Sequence, residues 1–154
     1  MDVDGTLTDG KIYMGPNGEV MKAFDIKDGY GIRNILPQYG ILPIIITGRT
    51  SAIVELRAKE LGICHLYQGV ADKAECVQDI SKALSVPFEQ MACIGDDLND
   101  LPMMRRCGIK GCPSDASAGI KSICDFICKA PGGHGAVREF IECLIDDSIS
   151  GLYQ

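Results

Sequence analysis

The sequence has no run of lysine and arginine, no apolar stretch of membrane length and no C-x-x-C pair. Each absence removes a class of function. Without a basic run, or basic residues interleaved with aromatics, nothing is present to track a nucleic-acid backbone. The balance of 15 basic against 21 acidic residues, a formal charge of −6, points the same way. The longest apolar stretch, Ile41 to Ile46, is broken by Pro43 and falls far short of a bilayer's thickness. No basic start followed by a long apolar segment marks an export signal, so the expected location is the cytoplasm. Zinc is not expected: the cysteines Cys64, Cys76, Cys93, Cys107, Cys112, Cys124, Cys128 and Cys143 lack tight spacing, and His65 and His134 lie far apart. The thiols read as buried or incidental in a reducing compartment. Repeats and linkers are missing too, and residues 1–154 are expected to form one domain with a sizeable core.

What is present alternates strand-like with helix-like segments, the pattern of an α/β domain with a mainly parallel sheet. Gly15-Pro16-Asn17-Gly18 predicts the turn of a short hairpin within Lys11 to Phe24. Asp28 is placed to cap a helix with Ile32, Ile35, Leu36 and Tyr39 on one face. Strands are expected at Leu42 to Thr47, His65 to Gln68, Met91 to Ile94 and, more weakly patterned, Cys124 to Cys128. Helices are expected from Ser51 to Leu61 with Gly62 as stop, from Lys73 to Leu84, from Asn99 to Arg106 and from Ala136 to Ile145. Asp146 to Gln154 reads as a loose polar tail. A central parallel strand brings about five apolar residues. Only Met1 stands before Asp2, so the first strand is expected to be shortened, from a truncated start or a fragment.

The chemistry sits at the predicted strand ends, where open α/β sheets bind ligands. Asp2 and Asp4 are two residues apart in an extended segment and project to one side. Thr47 ends the next predicted strand, Lys73 opens a helix, and Gly95-Asp96-Asp97-Leu98-Asn99-Asp100 follows another strand. Each has an ordinary reading: an Asp-Gly turn, a β-forming Thr, a solvated Lys. In order and at strand ends they assemble a phosphoryl-transfer site instead. Asp2 is the nucleophile of an aspartyl-phosphate. Asp2, Asp96 and the backbone carbonyl of Asp4 suit Mg²⁺, which takes oxygen ligands. Thr47 and Lys73 meet phosphoryl oxygens, with Asp97 and Asp100 as supporting acids. Asp4, expected amid the like charges of Asp2, Asp96 and Asp97, should have a raised pKa and exchange protons with leaving group and water.

These residues resemble the haloacid dehalogenase superfamily of phosphohydrolases, whose four motifs match Asp2-x-Asp4, Thr47, Lys73 and the Asp96 to Asp100 cluster in order. The short interval from Asp4 to Thr47 leaves no room for a large cap, which is similar to the capless branch. Within it, Lys22-Ala23-Phe24, Lys27-Asp28-Gly29-Tyr30-Gly31-Ile32-Arg33, Ile46-Thr47-Gly48-Arg49, His65 to Gly69 and Gly132 to Glu139 resemble the 3-deoxy-D-manno-octulosonate 8-phosphate (KDO 8-phosphate) phosphatase family. The resemblance implies a three-layer Rossmann-like sandwich with a hairpin lid, Mg²⁺, a sugar-acid phosphate substrate and a place in lipopolysaccharide biosynthesis. It also implies a homotetramer in which one subunit's hairpin covers the neighbour's site. Substrate contacts are implied at Asp4, Asp25, Ile26, Lys27, Asp28, Gly29, Arg33, Arg49, Arg57 and Lys73. Arg49 and Arg57 suit a sugar-acid carboxylate, which guanidinium binds bidentately. His134 stands where the family pattern leads one to expect Arg, and reads either as a polar loop residue or as a titrating contact. The alternatives are a phosphatase for a nine-carbon sialic-acid-type 9-phosphate, the phosphatase-like part of an acylneuraminate cytidylyltransferase, or a non-catalytic phosphosugar-binding subunit. A two-component receiver domain also clusters Asp, Thr and Lys, but needs an acceptor Asp where this chain has Thr47 or Gln68.

Overall fold

The structure is a computed structural model and describes residues 1–146; the tail expected beyond Asp146 lies outside the described residues. The hairpin forms as expected, with β1 (Tyr13–Gly15) antiparallel to β2 (Gly18–Met21) and Gly15 paired with Gly18 across the turn. Next comes α1 (Ile26–Tyr30), which continues through a π turn over Gly31–Ile35 and a 3₁₀ turn over Leu36–Tyr39. Its cap is Asp25, whose carboxylate accepts from the Lys27 N–H at 2.6 Å, and not Asp28. Asp28 lies inside the helix and turns its carboxylate to another element.

The parallel strands are short. β3 (Ile44–Ile46) pairs with β4 (His65–Tyr67), and β5 (Ala92–Ile94) pairs with β6 (Ile109–Cys112), which pairs with β7 (Phe126–Ile127). Met1 and Asp2 join the two groups: the Ile46 N–H donates to the Met1 carbonyl at 3.0 Å, and the Asp2 N–H to the Ile94 carbonyl at 3.1 Å. The segment Met1–Asp2 thus lies at the centre of one sheet, in the order β4, β3, Met1–Asp2, β5, β6, β7. Helices α2 (Ala52–Leu61) and α3 (Lys73–Leu84) make the crossovers, followed by the short α4 (Leu101–Met104) and α5 (Ala118–Lys121) and by α6 (Ala136–Ile145). Gly62, at φ 73°, closes α2 in the left-handed conformation that glycine adopts without cost.

The core lies on both faces of the sheet, giving the expected three layers. On one face Val3, Ile45 and Ile94 pack with Ile32, Val54, Val137 and Phe140; on the other Ile46 and Cys93 pack with Val77, Ile80, Met103 and Ile120. All eight cysteines are free, four of them buried. No helix among the described residues is long and apolar enough to cross a membrane. Three elements differ from expectation. The segment Asn99 to Arg106 is helical only over α4, and β6 and α5 carry no sequence cue. Below Met1, an apolar cleft of about 370 Å³ opens between the starts of β3 and β5, lined by Pro43, Val77, Ile80, Phe140 and Leu144 among others.

Candidate active site

The turn after Met1–Asp2 builds the first wall of the site. The Thr8 hydroxyl accepts from the N–H groups of Gly5 and Gly10 at 3.3 and 3.2 Å and points back to the Val3 carbonyl, folding residues 3–10 into a compact loop. Gly5 has φ +96°, and a Cβ there would overlap the Asp96 carboxylate. The loop Gly132–Gly133 seals this turn from outside, with the Gly133 N–H on the Thr6 carbonyl at 3.1 Å. His134, beside it, is exposed.

Opposite stands the loop after β5. Asp100 is fully buried, and its Oδ2 accepts from the N–H groups of Asp96 and Asp97 at 3.0 and 3.3 Å. Gly95 must be glycine, because a Cβ would come within 2.6 Å of the Asp100 carboxyl carbon. Lys73 opens α3, where the Asp72 carboxylate caps the N–H groups of Ala74 and Glu75. Its buried ammonium bridges Asp2 Oδ1 and Asp100 Oδ1, each at 2.6 Å. Burial alone would lower the Lys73 pKa, but the two carboxylates outweigh it and hold it above the ordinary value.

Oxygens of Asp2, Asp96 and Asp100 lie within 4.8 Å of one another. One ammonium does not neutralise three carboxylates. Burial, then the Asp2 and Asp100 charges, push Asp96 up to about 7 despite the Thr6 hydroxyl donating to it at 3.2 Å. Asp2 is raised by burial and by Asp100, with Lys73 opposing. The donor set is therefore hard oxygen with surplus negative charge, which fits a divalent cation such as Mg²⁺. Asp100 already gives both oxygens to protein donors, so Asp2 and Asp96 are the carboxylates placed to hold it.

Asp4 departs from expectation. Its carboxylate contacts the Lys22 ammonium, with the Arg49 Nε at 3.8 Å from its other oxygen, so cations and not only like charges surround it. A crowd of like charge lies at Asp96, which Asp2, Asp100 and Asp97 all oppose. Thr47 is buried at the end of β3, its N–H on the Tyr67 carbonyl at 2.9 Å. Asp97 is exposed at the rim.

The other expected substrate contacts are scattered within this chain. Asp25 caps α1, while Ile26 and Lys27 are exposed on it. Asp28 is only 1% exposed and accepts the Arg138 N–H at 2.7 Å, so it caps the start of α6. Gly29 is buried against the Arg57 guanidinium. Arg57 pairs with Glu60 at 2.8 Å and lies 5.5 Å over the Phe24 ring. Arg33 bonds the Glu60 carbonyl, near the end of α2 away from the strand-end rim. Three participants were not anticipated: Thr6 on Asp96, Lys22 on Asp4, and Glu19, which accepts from Ser51 Oγ at 2.5 Å. Lys22 lay in a stretch quoted for the family resemblance, yet no local pattern ties a hairpin lysine to Asp4.

Residues 45–141 match the family of haloacid dehalogenase-like hydrolases. The chain belongs to that family. Among its relatives is the 3-deoxy-D-manno-octulosonate 8-phosphate phosphatase KdsC of Escherichia coli K12, 45% identical over 145 residues that cover 94% of this chain and 77% of that protein. A crystal structure of the Moraxella catarrhalis 3-deoxy-D-manno-octulosonate 8-phosphate phosphatase, in complex with magnesium ion, phosphate ion and KDO, superposes with a TM-score of 0.91. It is 40% identical and covers 100% of this chain and 91% of its own. The cobalt-bound deoxy-D-mannose-octulosonate 8-phosphate phosphatase of Haemophilus influenzae has a TM-score of 0.89 at 35% identity, covering 99% of this chain and 94% of its own. The identity to KdsC places this hydrolase within the KDO 8-phosphate phosphatase family.

Proposed function

We propose that this hydrolase is a Mg²⁺-dependent phosphatase that converts KDO 8-phosphate to KDO and phosphate through an aspartyl-phosphate on Asp2. The observation that carries the reading is the buried Lys73 bridge, which fixes the Asp2 carboxylate against Asp96 and Asp100 at the strand-end rim. In the first step an Asp2 oxygen attacks phosphorus, the bond to the sugar oxygen breaks, and Asp4 gives that oxygen a proton. In the second, water attacks phosphorus, Asp4 takes its proton, and Asp2 is freed. Asp2, Asp96 and the Asp4 carbonyl would hold the metal, which would supply charge neutralisation for the phosphoryl oxygens. Lys73 keeps Asp2 ionised and oriented, and the Thr47 hydroxyl donates to a phosphoryl oxygen. Arg49, whose side chain is 43% exposed beside Asp4, is placed to take the sugar-acid carboxylate.

A homotetramer with hairpin lids completes the site. Supporting this, the hairpin and its flank leave Ile12, Met14, Val20 and Met21 exposed, apolar surface that a neighbour would cover. Arg33, tied to the far end of α2, would then serve a neighbouring site; a monomer in sedimentation equilibrium at assay concentration would remove this part. The free thiols suit a reducing compartment, and the cytoplasm is the location in this reading. The test of substrate is phosphate release from KDO 8-phosphate and a nine-carbon sugar-acid 9-phosphate, with and without chelator. The expected result is chelator-sensitive turnover with the higher kcat/KM on the eight-carbon ester. Preference for the nine-carbon ester would reassign the substrate, and turnover indifferent to chelator would overturn the metal-dependent mechanism.

A further inference from the structure

We infer that Lys22, held by Glu19, is the positioning residue for Asp4, so that the hairpin aims the proton donor of its own subunit's site. The Lys22 side chain is 1% exposed and its ammonium meets two carboxylates, Asp4 Oδ1 and Glu19 Oε1, the latter at 2.9 Å. A buried ammonium has no low-cost orientation away from its acceptors, since leaving them strands its charge away from water. Glu19 is fixed in turn. Its Oε2 accepts from Ser51 Oγ at 2.5 Å, and its Oε1 also lies 3.4 Å from the Arg49 guanidinium. Burial pushes the Glu19 carboxyl up, but Ser51, Lys22 and Arg49 prevail and hold it below the ordinary range. The chain of contacts runs Ser51, Glu19, Lys22, Asp4, linking the start of α2 through β2 to the acid.

The consequence is geometric. With Oδ1 of Asp4 held by Lys22, Oδ2 is the oxygen turned toward Arg49, 3.8 Å away and beyond hydrogen-bond range. A leaving-group oxygen seated against Asp4 meets that second oxygen. The resemblance described above makes the hairpin a cover for a neighbouring subunit. These contacts give its base a second task at home.

The inference rests on the assignment of Asp4 as proton donor, and the test separates the two. The Mg²⁺-loaded full chain is assayed for kcat/KM, which reports the step that expels the leaving group, on KDO 8-phosphate and on p-nitrophenyl phosphate. An alkoxide needs a proton to leave; p-nitrophenolate does not. Asp4→Asn sets the reference: a large loss on the sugar ester and a small one on the aryl ester. Lys22→Met is expected to lose about 100-fold on the sugar ester, within the range of general acid catalysis, and less than about fivefold on the aryl ester. Lys22→Arg should restore part of the sugar-ester rate. Glu19→Gln, which leaves Lys22 in place and supplies a measurement should Lys22→Met fail to fold, is expected to show the same selective loss at roughly tenfold. Equal losses on both esters for Lys22→Met or Glu19→Gln, beside a selective Asp4→Asn, would overturn the positioning role alone. Equal losses for Asp4→Asn itself would overturn the assignment of Asp4 and this inference with it.

Discussion

Asp28 is a buried carboxyl whose work is to cap α6 from across the fold. One oxygen accepts the Arg138 N–H, while the other has no partner. Burial, opposed by that N–H and reinforced by Asp25, raises its pKa from 3.8 to about 6. Because the folded value exceeds the unfolded one, the unfolded chain sheds this proton first. The resulting penalty is absent below about pH 4, grows as pH climbs to about 6, and then stays near ~3 kcal/mol. Asp28→Asn keeps an oxygen for the Arg138 N–H and removes the charge. Its Tm relative to the parent should rise by roughly 6 °C or more between pH 4 and pH 7.5; a Tm difference independent of pH in calorimetry would contradict this. The sequence suggested Asp28 as a helix cap but named the wrong helix, because a cap supplied from 110 positions away leaves no local trace. The acids and Lys73 that gather at the sheet edge were legible, since strand ends follow from the alternation of segments. Lys22 and Glu19 were not, because their partners are set by how the hairpin folds down.

The amphipathic helices α3 and α6 were readable from their periodicity, and α2 from its Gly62 stop. β6 was not. Its sequence Ile-Lys-Gly-Cys has little β propensity, and it is a strand because β5 and β7 pair with it and Phe140 packs on it. A Cβ at Gly111 would lie 2.5 Å from the Phe140 ring, so the glycine makes room for the largest side chain of α6 in this core. Gly111→Val, which improves β propensity, should therefore destabilise the fold by about 1–3 kcal/mol, the usual cost of overpacking. Urea unfolding that gave equal or greater stability would contradict the packing account.

Across the whole molecule the sheet holds together through Met1 and Asp2, and the charged amino terminus sits in the slot between β3 and β5. The Met1 ammonium donates to the Ile44 carbonyl at 2.8 Å, as a strand amide would, and burial pulls its pKa below the ordinary value. Just beyond it the apolar cleft of about 370 Å³ continues the same line. A variant with four apolar β-forming residues joined to Met1 would replace the ammonium with an amide and extend the ladder along both neighbours. Its Tm should rise by several degrees, about 2–4 °C for each kcal/mol gained. An unchanged or lower Tm would mean that the cleft does not accept a strand.

The chemical claim is that Asp2 carries the phosphoryl group. Acid quench during turnover of KDO 8-phosphate, followed by borohydride and peptide mass spectrometry, reads it directly, because the reductant converts an aspartyl-phosphate to homoserine. The account predicts homoserine derived from Asp2. Homoserine derived from Asp4, Asp96 or Asp100 instead would contradict it.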